Sequence, residues 1–158
     1  MIEVVRQETI RCSPQQWLEF VLDVHRYAEV DDKIGPIAWV RHEGDLVEFK
    51  FRPRLPGLRL PALRIISQMR LTPGRRIDVR LAPLPRNLTS RLVSRFRASF
   101  SCEPHEGGVR VTRAIAFDFG PEVRWYVEPV LRRTLPESVE RELRLTRQVL
   151  ERPGPSPG

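Results

Sequence analysis

From Val47 to Phe119 the chain alternates apolar and polar residues in one stretch after another. That period of two is what strands with a single buried face require. Val47, Phe49 and Phe51 oppose Glu48, Lys50 and Arg52, and Leu63, Ile65, Ser67, Met69 and Leu71 oppose Arg64, Gln68 and Arg70. Ile77, Val79 and Leu81 then oppose Arg76, Asp78 and Arg80, while Leu92, Ser94, Phe96, Ala98, Phe100 and Cys102 oppose Arg91, Arg95, Arg97 and Glu103. In the last stretch Val109, Val111, Ile115, Phe117 and Phe119 share a face with Arg113. One wet face per strand points to an antiparallel sheet, because parallel sheets are covered on both sides. Two further strands are predicted upstream, the mixed β-branched run from Ile2 to Cys12 and a short one from Ile37 to His42 whose face is ambiguous.

At both ends of this region the period becomes helical. Ser13-Pro14-Gln15-Gln16 reads as a capping box with proline at the first helical position. Trp17, Phe20, Val21 and Val24 then repeat on one helical face, so a helix is predicted over Pro14 to Val24. A short helical turn over Arg26 to Asp32 follows, ended by Ile34-Gly35-Pro36. Glu122 to Glu151 carries the stripe Val127, Leu131, Leu135, Val139 and Leu143. Pro129 and Pro136 interrupt that helix at about 3 kcal/mol each, and Thr134-Leu135-Pro136-Glu137 resembles a fresh capping box, so a kink or break is predicted near Thr134. The expectation is a single domain over residues 1–151 with a disordered Pro/Gly tail at 152–158.

Glu43-Gly44-Asp45, Thr72-Pro73-Gly74-Arg75 and His105-Glu106-Gly107-Gly108 are tight polar turns of the hairpin kind. A meander gathers them at one rim and sends Pro53 to Pro61, Pro83 to Asn87 and Gly120-Pro121 to the other. The loops at that second rim are apolar and basic together, which mere connectors need not be.

This order of elements resembles the START-like, helix-grip superfamily, also called SRPBCC, which includes polyketide cyclase/dehydrase and lipid-transport domains. The local likeness lies in Ile10-Arg11-Cys12-Ser13-Pro14 leading to Trp17, and in Asp23-Val24-His25-Arg26-Tyr27. The resemblance covers roughly residues 2–151 and implies an α+β fold, a curved antiparallel seven-stranded sheet wrapped around a long C-terminal helix with a short helix pair after strand 1. It also implies a deep cavity for lipids, polyketides, sterols or other apolar molecules, in carriers and enzymes alike. In aromatase/cyclase members, pocket arginine, serine and tyrosine side chains guide a polyketide. Ser67-Gln68-Met69-Arg70 is similar to such a serine and arginine pair, but its spacing turns Arg70 to the outer face.

Composition narrows the chemistry. Of 158 residues 41% are hydrophobic, enough for one core. The net charge is +7, and apart from Lys33 and Lys50 every basic residue among the 27 is arginine. Arginine pairs phosphates and carboxylates bidentately, yet a solvated arginine face needs no partner at all. Cys12 and Cys102 are too few for a disulfide framework and favour a reduced, cytoplasmic setting. No apolar run spans a bilayer, and Glu3 and Arg6 deny the N-terminus a signal peptide's core, so the chain reads as soluble. His25, His42 and His105 are scattered without metal spacing, no Gly-x-Ser-x-Gly is present, and no pattern asks for a cofactor.

The inner face offers few polar groups. Arg113 faces inward by parity, and Glu8 shares the face of Ile2, Val4, Arg6 and Ile10 on the first strand, which pairs with the last in this fold. Three readings stay open: an internal Glu8–Arg113 ion pair, an Arg113 that orients a ligand carboxylate or polarises a carbonyl, with Glu8 as the candidate base, or an Arg113 at a frayed, solvated position. The candidate ligand-binding set is Ser67, Met69, Ser94, Phe96, Arg113, Phe117 and Tyr126. Each serine is equally a packing residue, and Tyr126, with Trp125, either gates the cavity mouth or packs in the core. Three functions follow: a carrier or sensor of a small apolar ligand, a polyketide cyclase/dehydratase acting on one, or docking of the outer arginine face on an anionic membrane or RNA. Without aromatic interleaving nucleic acid is the weaker of those last two partners, and the basic-apolar loops suit a membrane surface. Oligomeric state leaves no mark on the sequence.

Overall fold

The capping box at Ser13 forms as the sequence predicts. The Ser13 hydroxyl accepts from the Gln16 amide at 3.1 Å and Gln16 Oε1 accepts from the Ser13 amide at 2.8 Å. In this computed structural model, which describes residues 1–59, 64–82 and 93–152, the box ends strand β1 (Ile2–Ile10) and starts helix α1 (Pro14–Leu22). Helix α1 stops two residues short of the predicted Val24 because Asp23 is both its C-cap and the N-cap of α2 (Val24–Tyr27), its side chain accepting from the Arg26 amide at 3.4 Å. The predicted turn over Arg26 to Asp32 is therefore displaced toward the N-terminus.

Strands β2 (Ile34–Glu43), β3 (Leu46–Pro53), β4 (Ile65–Thr72), β5 (Arg76–Leu81), β6 (Val93–His105) and β7 (Gly108–Phe119) form a meander. With β1 they build one antiparallel sheet of seven described strands, in the order β1-β7-β6-β5-β4-β3-β2. The three predicted hairpin turns pivot on Gly44, Gly74 and Gly107, with φ of 57°, 74° and 73°. Ile34-Gly35-Pro36 lies beyond the helical turn and opens β2. As an edge strand with register shifts between Ile34 and Trp39 it tolerates Pro36. Gly35 is required there, since a Cβ would lie 2.2 Å from the Arg52 carbonyl oxygen.

Helix α3 (Pro121–Glu151) closes the hollow of the sheet, burying Val127, Leu131, Leu135, Val139 and Leu143 as predicted. The break near Thr134 does not occur, and the helix runs through both prolines. Thr134 caps nothing. Its hydroxyl donates to the Pro56 carbonyl at 2.8 Å and lies 3.0 Å from the Val130 carbonyl, tying the β3–β4 loop to the helix. Gly57 completes that contact: its φ is 80°, and a Cβ would lie 2.9 Å from Val130.

Trp17 and Tyr27 of the short helices each meet Phe100 edge-on and Phe20 meets Tyr27 the same way, filling one end of the grip. The other end, under the first turns of α3, stays hollow. Among the described residues no helix is long and apolar enough to cross a membrane.

Candidate ligand cavity

The hollow has a volume of about 330 Å³. Its floor follows the predicted inward parity: Phe49 and Phe51 from β3, Ser67 and Met69 from β4, Val79 from β5, Phe96 and Ala98 from β6, and Arg113, Ile115 and Phe117 from β7. Val123, Tyr126 and Val127 of α3 form the roof and Leu55 and Leu58 the side wall. Exposed Arg54, Arg59 and Tyr126 mark where it opens to solvent. Tyr126 is 44% exposed and meets Trp125, 75% exposed, edge-on at 5.1 Å between centroids, so this pair sits at the mouth and not in the core.

Six of the residues singled out from sequence, Ser67, Met69, Phe96, Arg113, Phe117 and Tyr126, line the same cavity. The side chain of Ser94 lies outside the described residues, as do residues 60–63 and 83–92 of the basic-apolar loops and residues 153–158 of the tail. Glu8 is elsewhere. It stands opposite Val111 in the register, while Arg113 stands opposite Arg6, and its carboxylate pairs with Arg147 at 3.3 Å on the flank of α3. The expected Glu8–Arg113 pair does not form, and Glu8 is not among the cavity lining.

Arg113 is buried with other partners. Its Nε donates to Glu142 Oε2 at 2.8 Å, its Nη1 to the Ala114 carbonyl at 3.3 Å, and its guanidinium lies 4.0 Å from the Phe100 ring centroid. Lys33 Nζ sits 2.9 Å from Asp31 Oδ1, 2.9 Å from Glu142 Oε1 and 3.4 Å from Ser138 Oγ. The Tyr27 hydroxyl donates to Glu142 Oε2. Tyr27, Asp31, Lys33 and Arg113 all border the cavity, so this cluster is its inner, polar end.

The shifts in pKa follow from the arrangement. Burial would raise Glu142, but Arg113, Lys33 and the Tyr27 hydrogen bond outweigh it and bring its carboxyl down to about 2. Asp31 has fewer donors: burial, then the Glu142 charge, raise it against the pull of Lys33 and Arg113. Burial and Glu142 push the Tyr27 hydroxyl well above its usual value. For Lys33 and Arg113 burial works toward loss of the proton, and the facing carboxylates reverse it and hold both cations above their ordinary values.

The sequence reading missed Asp31, Lys33, Glu142 and Tyr27 as a group. Glu142 was detectable, since it stands three residues past Val139 and seven past Leu135, on the apolar stripe itself. Asp31 and Lys33 read as turn residues and carried no such signal. Among the described residues, no group of three or more His, Cys, Asp or Glu side chains is placed to hold a metal ion.

A cavity between a curved antiparallel sheet and a long C-terminal helix invites comparison with known proteins, and a family model for polyketide cyclase / dehydrase and lipid transport matches residues 1–151. The chain belongs to that family. Its fold is the helix grip. The Thermus thermophilus protein TTHA0849 superposes with a TM-score of 0.74 at 14% identity, covering 94% of this chain and 97% of that one. The Zhui aromatase/cyclase from Streptomyces sp. R1128 gives 0.68 at 14% identity over 97% of this chain and 98% of its own. The di-domain aromatase/cyclase StfQ of the steffimycin biosynthetic pathway gives 0.71 at 14% identity, with 95% of this chain matching 50% of that chain. No curated protein sequence matches. At these identities the solved structures attest to the fold, and the polyketide cyclase / dehydrase and lipid transport family embraces both catalysis and carriage in its description.

Proposed function

We propose that the protein binds a small apolar molecule, a lipid, polyketide or similar compound, in this cavity and acts as its carrier or sensor. One observation carries the reading. Protein interiors are packed to crystal density with few voids larger than a water molecule, yet here a hollow of about 330 Å³ is walled by Phe, Val, Ile, Leu and Met with a charged cluster at its inner end. Filling it is the test. Ala98 lines the cavity and is 6% exposed. Ala98→Phe places a ring in existing space, so it is expected to abolish displacement of Nile red by long-chain amphiphiles while leaving the unfolding temperature unchanged or higher. Undiminished binding by a folded Ala98→Phe protein would remove the cavity as the site.

The enzymatic alternative within the same family, cyclisation or dehydration of such a ligand, needs an acid or base in the cavity. Asp31 is the only carboxylate among its described lining residues, and burial raises its pKa. Turnover of a polyketide substrate that survived Asp31→Asn would leave this alternative without a carboxylate to act as its acid or base.

The mouth favours exchange of the ligand at an anionic membrane surface. Trp125 and Tyr126 are exposed there, with Arg54 and Arg59 at the same opening, on a chain of net charge +7.

A further inference from the structure

The inner end of the cavity carries charge but has no net charge to offer. Asp31 and Glu142 are balanced by Lys33 and Arg113 at 2.8–3.8 Å. The hydrogen bonds are not evenly shared. Each of the three Lys33 ammonium protons has an acceptor in Asp31, Glu142 or Ser138. Glu142 takes Arg113, Lys33 and Tyr27. What is left over is a facing pair of atoms: Asp31 Oδ2 and Arg113 Nη2 stand 3.8 Å apart, close enough to attract and too far to hydrogen-bond. Both side chains are buried to within 5% of full enclosure, and both border the cavity.

From this juxtaposition we infer that the cavity selects a ligand whose inner end is an uncharged hydroxyl, donating its proton to Asp31 Oδ2 and accepting from Arg113 Nη2, and that it rejects the corresponding carboxylate. The inference rests on the cavity-binding reading above. An O–H has one donor and two lone pairs, which is what this gap lacks on each side. A carboxylate satisfies Arg113 alone. It brings a third negative charge beside Asp31 and Glu142 in a site with no cation to spare, and like charges at such distances in a low-dielectric interior are costly. Burial and Glu142 already raise Asp31, so a further anion beside it adds to a repulsion that this carboxylate already feels. An ester head accepts but cannot donate, which leaves Asp31 Oδ2 as it was. Ser67 is 2% exposed and offers a second polar point further along the floor. Arg113, Phe100, Ile77 and Leu71 lie in one row of paired residues, and Ser67 is four positions further along β4, about 13 Å. The favoured ligand is thus a long-chain alcohol, with any second oxygen well removed from the first.

Three probes of equal chain length test this: dodecanol, methyl dodecanoate and dodecanoate, each titrated against Nile red bound to the full-length protein, below their micellar concentrations and well above the fatty-acid pKa. Dodecanol is expected to bind about ten- to a hundredfold tighter than dodecanoate, with the ester weaker than the alcohol. Asp31→Asn is expected to shrink the gap between alcohol and carboxylate at least about tenfold, because it removes the negative charge and supplies an amide donor. Equal or tighter binding of dodecanoate by the wild-type protein would overturn the inference while leaving the cavity reading intact. So would a gap that persists unchanged in a folded Asp31→Asn protein, since a preference arising from the solubility of the probes alone does not depend on that side chain. Should none of the three displace the dye, the cavity reading falls and the head-group inference with it.

Discussion

Glu142 is a carboxylate 1% exposed on which an arginine, a lysine and a tyrosine converge. Its folded-state pKa of about 2 lies below its ordinary value of 4.5, so the native protein binds fewer protons than the unfolded chain between those two values. The stability it contributes is complete above about pH 4.5 and is lost as the pH falls toward about 2, a loss of roughly 3 kcal/mol. Asp31 acts in the opposite sense, because its pKa is raised and protonating it relieves the cluster. Urea unfolding across this range is expected to show Glu142→Gln well below wild type at neutral pH and converging on it in acid. Asp31→Asn should show a steeper acid loss than wild type, since the opposing group is gone. Parallel pH profiles for wild type and Glu142→Gln would show that the cluster does not ionise as described. The inward aim of Arg113 was legible in the sequence through strand parity alone, a local property with a period of two. Its partners were not, because Glu142 lies 29 residues away on another element and the pairing depends on how far α3 slides along the sheet. Placing Glu8 opposite Arg113 required a register, and the register differs from that expectation by two residues.

At the scale of elements, local chemistry predicted what local chemistry controls. The capping box at Ser13, the three glycine-bearing hairpin turns and the burial stripe of α3 all follow from contacts within a few residues. The exceptions are places where tertiary contacts override a local signal. Pro129 and Pro136 each delete one hydrogen bond of α3, yet the helix continues, because its buried stripe against the sheet outweighs that local loss. Pro129 is exposed, so its ring is not part of that packing. Pro129→Ala restores the amide donor for the Trp125 carbonyl and gives back a little unfolded-state entropy, for a net gain of about 2 kcal/mol, read as a higher unfolding temperature. An unchanged or lower unfolding temperature would mean that the helix is already relaxed around the proline. Thr134 was read as a cap from its neighbours, and only the loop carrying Pro56, brought from 78 residues away, reveals its real partner.

For the whole molecule, the order of elements was enough to anticipate the seven-stranded grip, since a meander followed by a long amphipathic helix has few ways to bury both apolar faces. What the sequence left undivided was the arginine excess, because parity separates inner from outer without saying which outer residues surround the opening. Among the described residues Arg76, Arg110 and Arg124 meet Asp78, Glu103 and Asp118, whereas Arg54 and Arg59 line the mouth with the exposed ring of Tyr126, which Trp125 meets edge-on. An apolar ligand leaving this cavity through water loses the burial that holds it, at about 25 cal/mol per Å² of surface, and passing directly between mouth and bilayer avoids that loss. On the proposed reading of exchange at an anionic membrane, docking through the mouth has two separable components. The charge component falls steeply as salt rises, since the Debye length shrinks from about 10 Å at 0.1 M to about 3 Å at 1 M. The aromatic component persists in salt and is lost in Trp125→Ala. Co-sedimentation is expected to show binding to phosphatidylglycerol vesicles and none to pure phosphatidylcholine, weakened by salt in the wild type and weaker still in Trp125→Ala. Because Trp125 is 75% exposed, that substitution should leave the unfolding temperature where it was. A salt-independent association, or one indifferent to Trp125, would place membrane contact away from the cavity mouth and separate ligand exchange from the arginine-rich surface.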